Sequence, residues 1–148
     1  MSDHLPTKPR LSLLFRLLHQ HYAQAVQSAL AEQGFGDITT AQAQLLPFLP
    51  PEGTSVARLT ERVVLRKQSV TELVLQLERA GYVERRPNPT DGRSQLVYLT
   101  ARGQAAVPVA VEAGDLVEAE WASLTSWSTI ESVRKALRAV LIGVEAQR

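Results

Sequence analysis

Between Lys67 and Ala80, Val70, Leu73, Val74 and Leu77 recur at three- and four-residue intervals, which puts them on one face of a helix. Lys67, Gln68, Thr71, Glu72 and Gln76 are thereby turned outward. Polar groups near the start of a helix can hydrogen-bond base edges in a DNA major groove, while the free amides and dipole of the first turn favour a phosphate. An ordinary solvated helix face carries the same residue types, so periodicity alone leaves the two readings level. Further along, PNPTDGRS (Pro87 to Ser94) joins two strand-like stretches, and its Asn-Pro and Asp-Gly pairs are strong turn signals. With Arg85 and Arg86 on one arm and Arg93 beside the turn, this is a basic hairpin, a shape that reaches phosphates or the adjacent minor groove. The coincidence of outward polar face and basic hairpin favours duplex DNA.

Other chemistries have little to work with. The chain contains no cysteine, so disulfides, thiolate metal sites, cysteine nucleophiles and thiol redox sensing are all excluded. His19 and His21 are two residues apart on a helix, about 200° around its axis, and cannot clamp one metal from one face. Only a histidine joined by a carboxylate from another chain is left as a zinc site. No glycine-rich phosphate loop, nucleophile elbow or HExxH occurs, so neither an enzyme nor a cofactor is expected.

The net charge of the 148 residues is only +1, which at first sight argues against nucleic acid. Cut where the pattern changes, the chain separates into −1 over residues 1–57, +4 over residues 58–102 and −2 over residues 103–148. A basic middle lies between acidic ends. Composition is that of a globular protein, no apolar run approaches the roughly 20 residues of a membrane span, and MSDHLPTKPR does not read as a secretory signal. No membrane partner and a cytoplasmic location are expected.

The elements that position these residues follow from spacing. Leu11, Leu14, Phe15, Leu18, Tyr22, Val26, Ala29 and Leu30 make a first amphipathic helix that Gly34 stops. Thr39 and Gln42 have capping-box spacing, opening a short second helix with Leu45, Leu46 and Leu49 that Pro47 interrupts and Pro50 to Gly53 ends. Thr54 or Ser55 caps a third helix, with Val56, Leu59 and Val63 inward, to about Val64. The fourth follows after a break at Leu65 to Lys67 and stops at Gly81. Strands are expected at Tyr82 to Arg86 and Gln95 to Leu99. Thr100 caps a fifth helix to about Ser123, bent by Pro108 and loosened by Gly114. A sixth starts at Thr125 or Ser128, with Ser128 and Glu131 as a capping box and Ile130, Val133, Leu137, Val140, Leu141 and Val144 on one face. The fold class is mainly α with a small antiparallel β wing, a winged helix-turn-helix between N- and C-terminal helices.

GYVERRPNPTDGRSQLVYLTARG (Gly81 to Gly103) resembles the wing of the MarR (multiple antibiotic resistance regulator) family of transcription regulators, through Asp91-Gly92-Arg93, Val97-Tyr98-Leu99-Thr100 and Gly103. LTERVVLRKQSVTELVLQLERAGYV (Leu59 to Val83) is similar to the family's helix-turn-helix. The resemblance implies a homodimer acting on double-stranded DNA as a regulator, most simply a repressor, at a pseudo-palindromic operator. It implies a dimerisation region from residues 11–34 and 101–148, a DNA-binding domain from residues 35–100 and a flexible segment over residues 1–10. The DNA-binding set is then Arg66, Lys67, Gln68, Ser69, Thr71, Glu72, Gln76, Arg85, Arg86, Asp91 and Arg93, with Arg93 in the minor groove and Asp91 positioning it. Independently of the resemblance, the wide apolar stripes of the first and last helices exceed what a lone winged helix covers.

Three positions depart from the family pattern. Gly92 stands where a basic residue is frequent, which removes one phosphate contact. Glu72 stands where arginine is frequent; a carboxylate accepts from a cytosine amino group but repels a phosphate. Pro47 shortens a helix that in the family walls a ligand pocket. The resemblance also implies release from DNA by an aromatic or phenolic ligand, with Arg16, His19, Tyr22 and Trp121 as candidate ligand-binding residues, although packing is the commoner role of Tyr22 and Trp121. The competing class is a protein-interaction module that keeps the winged helix as scaffold without reading DNA.

Overall fold

The structure, a computed structural model, describes residues 5–63 and 65–148. Val64, the expected end of the third helix, and the first four residues of the expected flexible segment lie outside the described residues. In chain order the elements are α1 (Leu11–Glu32), α2 (Thr40–Ala43), α3 (Val56–Val63), α4 (Lys67–Arg79), the antiparallel pair β1 (Val83–Asn88) and β2 (Asp91–Leu99), α5 (Ala101–Leu124) and α6 (Trp127–Glu145). This is the mainly helical winged helix-turn-helix that the spacing predicts.

Each boundary has a local cause. α2 opens on the full Thr39–Gln42 capping box, the Thr39 hydroxyl accepting from the Gln42 amide and the Gln42 carbonyl from the Thr39 amide. It ends at Ala43 because the amide that would bond to the Ala43 carbonyl belongs to Pro47, which has none. The chain continues as a single 3-10 turn, Leu46–Phe48, so the expected second helix is two pieces. Ser55 caps α3, its Oγ accepting from the Arg58 amide, whereas Thr54 pairs with Val97 through both backbone groups and adds a one-residue third strand to the wing. Gly81 reverses the chain at φ +82°, in the left-handed region glycine tolerates.

Three expectations are corrected. The hairpin loop is only Pro89 and Thr90, because Asn88 caps the turn by accepting from the Thr90 amide and its own amide donates to Ser94. The strands therefore run to Asn88 and from Asp91. Ser126, extended at φ −169°, caps α6 by accepting from the Thr129 amide; Ser128 lies inside the helix, and no Ser128–Glu131 box forms. Gly114 does not loosen α5: a Cβ there would collide with the Tyr22 hydroxyl, so the glycine is where α1 and α5 pack closest.

The core gathers Leu30 of α1, Leu59 of α3, Val70 and Leu77 of α4 and Val97 of β2 with Ile38, Leu45 and Tyr82 from the connecting segments, each fully buried, and Val83 of β1 and Ala106 and Ala113 of α5 join them. α6 has no buried residue, and Trp127, Val133, Leu137, Val140, Leu141 and Val144 are exposed along it. Among the described residues no helix is long and apolar enough to cross a membrane.

One polar junction locks the wing-bearing unit to α5. Tyr82 donates its hydroxyl to Asp37, Arg102 reaches the same carboxylate at 3.2 Å and the Ala80 carbonyl at 2.5 Å, and its guanidinium lies 4.3 Å above the Tyr82 ring. Burial, reinforced by the Asp37 bond, pushes the Tyr82 phenol up to about 12. The Tyr82 hydroxyl bond, aided by Arg102, holds Asp37 below the usual carboxylate range against desolvation. Since the phenol's folded value is raised above its unfolded value of about 10, its contribution is complete below that pH and lost as pH rises through about 12. Asp37 acts oppositely, its contribution being present above its unfolded value and lost as pH falls through the lower folded one. The melting temperature of the wild type is expected to fall between about pH 10 and 12 more steeply than that of Tyr82→Phe; parallel curves would sever the phenol from the alkaline limb.

Candidate nucleic-acid interface

α4 buries Val70, Val74 and Leu77 and leaves Lys67, Gln68, Ser69, Thr71 and Glu72 exposed, with Arg66 at its N-cap also exposed. The Arg66 side chain makes no capping bond, so the first-turn amides of α4 keep no side-chain acceptor from that position. A groove runs from the start of α3 (Ser55, Val56, Ala57) past Lys67 to the inner edge of the wing, where Arg93, Ser94 and Gln95 line it. Three elements distant in sequence thus bring basic and polar groups to one concave surface.

The wing residues have separate roles. The Asp91 carboxylate accepts from the Arg93 backbone amide at 3.1 Å, which sets the strand beyond the turn and not the guanidinium. Among the described residues Arg93 has no ion pair, and it is exposed. Arg85 makes a two-pronged pair with Glu78 at 2.9 and 3.1 Å, bracing the wing against α4. That bond pulls the Glu78 carboxyl below its ordinary range and raises Arg85 further. Arg86 pairs with Glu84 and lies 4.7 Å over the Tyr98 ring.

Gln76 departs from the outward placement that spacing predicts. It is half-buried, its carbonyl accepting from the Gln42 amide at 2.9 Å and its own amide donating to Glu72 at 3.2 Å. Position on the helix put it beside Glu72, but only the approach of α2 to α4 fills its other end. Sequence reasoning did not single out Gln42, Ser94, Gln95 or the start of α3 for this surface. The capping-box spacing of Gln42 and the cap at Ser55 were the available signals.

The four candidate ligand residues do not form one site. His19 and Tyr22 line a largely apolar cavity of about 190 Å³ between α1, α2 and α5, walled by Thr40, Ala43, Pro47 and Ala110. Trp121 lines a separate groove with Leu18, Ile130 and Leu137, and Arg16 lines neither. Three helical turns of α5 separate Ala110 from Trp121, which periodicity on one helix does not reveal.

Comparison with known proteins agrees with this geometry. Residues 36–94 match the sequence profile described as MarR family. The transcriptional regulator HosA of Escherichia coli O111:H- is 27% identical over 128 residues, covering 86% of this chain and 93% of HosA. A cysteine-to-serine mutant of E. coli MarR, solved in complex with operator DNA, is 25% identical with a TM-score of 0.74, covering 88% of this chain and 93% of that one. Another MarR crystal structure superposes with a TM-score of 0.80 at 19% identity over 98% of this chain and 97% of that one.

Proposed function

We propose that this chain, which matches the MarR family over residues 36–94 and is similar to the transcriptional regulator HosA, is a winged-helix transcription regulator, two copies of which bind a two-fold-related operator and repress transcription from it. The observation that carries this reading is the groove in which Lys67, the start of α3 and Arg93, without an ion pair among the described residues, converge. A sugar-phosphate backbone lying in it has a helix on one side for the major groove and a wing on the other for the minor groove. Lys67, Gln68, Ser69 and Thr71 face base edges, Arg66 faces a phosphate, Arg93 enters the minor groove, and Arg85 and Asp91 hold the wing in place.

The division into a dimerisation region (residues 11–34 and 101–148) and a reading head (residues 35–100) rests on the bare apolar face of α6 with Leu11, Phe15 and Leu18 of α1. A face of that extent calls for a cover, and a second copy supplies an identical one. An aromatic or phenolic acid of one-ring size suits the cavity beside His19 and Tyr22, from which it would press on α2, shift the reading head and release DNA.

Selection from random-sequence duplexes tests the proposal. Enrichment of a motif with halves about one helical turn apart is the expected result, and affinity should fall with salt at a slope of roughly −0.9 per phosphate neutralised. Recovery of no two-fold-related motif would instead favour a winged helix retained as a protein-interaction scaffold.

A further inference from the structure

We infer that Glu72 is a base-reading residue, held as an outward acceptor by a hydrogen-bond relay anchored in the α2 capping box, and that it selects cytosine in each half-site. This deepens the reading under Proposed function and rests on it. The relay begins at the Thr39 backbone amide, which donates to the Gln42 side-chain oxygen at 3.1 Å. A backbone N–H only donates, so the Gln42 amide is fixed with its oxygen toward Thr39 and its NH2 toward α4. That NH2 donates to the Gln76 oxygen at 2.9 Å, which in turn directs the Gln76 NH2 to Glu72 Oε1 at 3.2 Å. Each link dictates the polarity of the next, and the first two side chains are 5% exposed and half-buried.

The consequence is a carboxylate held from behind on an exposed turn of α4. Thr71 and Glu72 follow Lys67 and Gln68 by one turn, so Glu72 shares the face that enters the groove. Held there, its remaining lone pairs present acceptors only. In the major groove cytosine offers an amino donor with no acceptor on the same base. Adenine sets its N7 acceptor beside its amino group, and guanine and thymine offer acceptors at that edge. A carboxylate therefore favours cytosine and is repelled by the others. Swung toward a phosphate it would only oppose binding, and the bond from Gln76 draws it away from that position.

The relay also predicts what glutamine would do at this position. In Glu72→Gln the new side-chain oxygen still accepts from Gln76, so the new NH2 points outward and the presented group changes from acceptor to donor. Duplex selection on the full-length wild type, Glu72→Gln and Gln76→Met tests this, with melting temperatures measured alongside. The wild type is expected to prefer cytosine at one symmetric position of each half-site by on the order of ten-fold. Glu72→Gln should lose that preference in favour of guanine or thymine, and Gln76→Met, which keeps the apolar stem but cuts the relay, should flatten it to about two-fold or less. A motif unchanged in Glu72→Gln overturns the inference while leaving DNA reading intact. Equal tightening on all sequences in Glu72→Gln overturns it too, because the carboxylate would then face the backbone. A wild type that selects no motif overturns the reading under Proposed function itself and this inference with it.

Discussion

Replacing Arg93 with alanine is expected to weaken binding to every duplex tested by about ten-fold or more at moderate salt, and to reduce the salt slope by about one. The side chain is exposed and has no ion pair among the described residues, so its charge is available to DNA and is not spent within the fold. Its removal leaves the hairpin intact, because the turn is held by bonds to backbone and to neighbours: Asp91 accepts from the Arg93 amide, and Asn88 holds Thr90 and Ser94. Melting temperature should therefore stay at the wild-type value while affinity falls. Fluorescence anisotropy at two salt concentrations reads the affinity and its salt slope, and a thermal melt reads the stability. Wild-type affinity in the variant would remove Arg93 from the interface. A loss confined to one sequence would make it a base reader instead of a minor-groove cation.

The second large effect concerns the fold that carries the wing. Gly103→Ala is expected to destabilise the protein by about 2–4 kcal/mol, lowering the melting temperature by about 5–15 °C. A Cβ at this position would overlap the Tyr82 carbonyl oxygen and press on the Leu99 side chain. Neither can yield cheaply. The Tyr82 carbonyl accepts from the Thr100 amide at 3.0 Å, and the Gly103 amide itself donates to the Thr100 hydroxyl at the N-cap of α5. Moving the helix start would break the cap, and moving the carbonyl would disturb the junction of Tyr82, Asp37 and Arg102. Gly92→Ala is the control, since a methyl there meets nothing within 4 Å. Thermal melts of the two variants compared with wild type decide the matter: a Gly103→Ala melt within a degree or two of wild type would show that the contact relaxes.

Much of the architecture was legible because it rests on local causes. The inward face of α4, the Thr39 and Thr100 caps and the stop at Gly81 each follow from spacing or from a backbone preference. The hairpin was located correctly but its loop was expected too long, because turn-forming residues were counted as loop when Asn88 pairs with Asp91 across a two-residue turn and its side chain bonds to Ser94. The start of α6 was expected at Thr125 or Ser128 and falls at Ser126 between them, because neighbouring hydroxyl residues are equivalent capping candidates until backbone dihedrals distinguish them. The candidate ligand residues were scattered because a residue's face on its own helix says nothing of its height against another.

The sequence alone determined which elements form and where charge accumulates, since helix periodicity, capping and net charge per segment depend on residues within a few positions of one another. It also bounded the chemistry through the absent cysteines. The tertiary structure decided which of the basic residues are free. Arg85, Arg86 and Arg93 are alike in sequence, yet one braces Glu78, one lies over Tyr98 and one has no ion pair among the described residues. It likewise turned Gln76 from an outward contact into a link between Gln42 and Glu72. Such assignments depend on partners 34 residues apart for Gln42 and Gln76, and 65 for Asp37 and Arg102. Only packing brings those pairs within hydrogen-bond range.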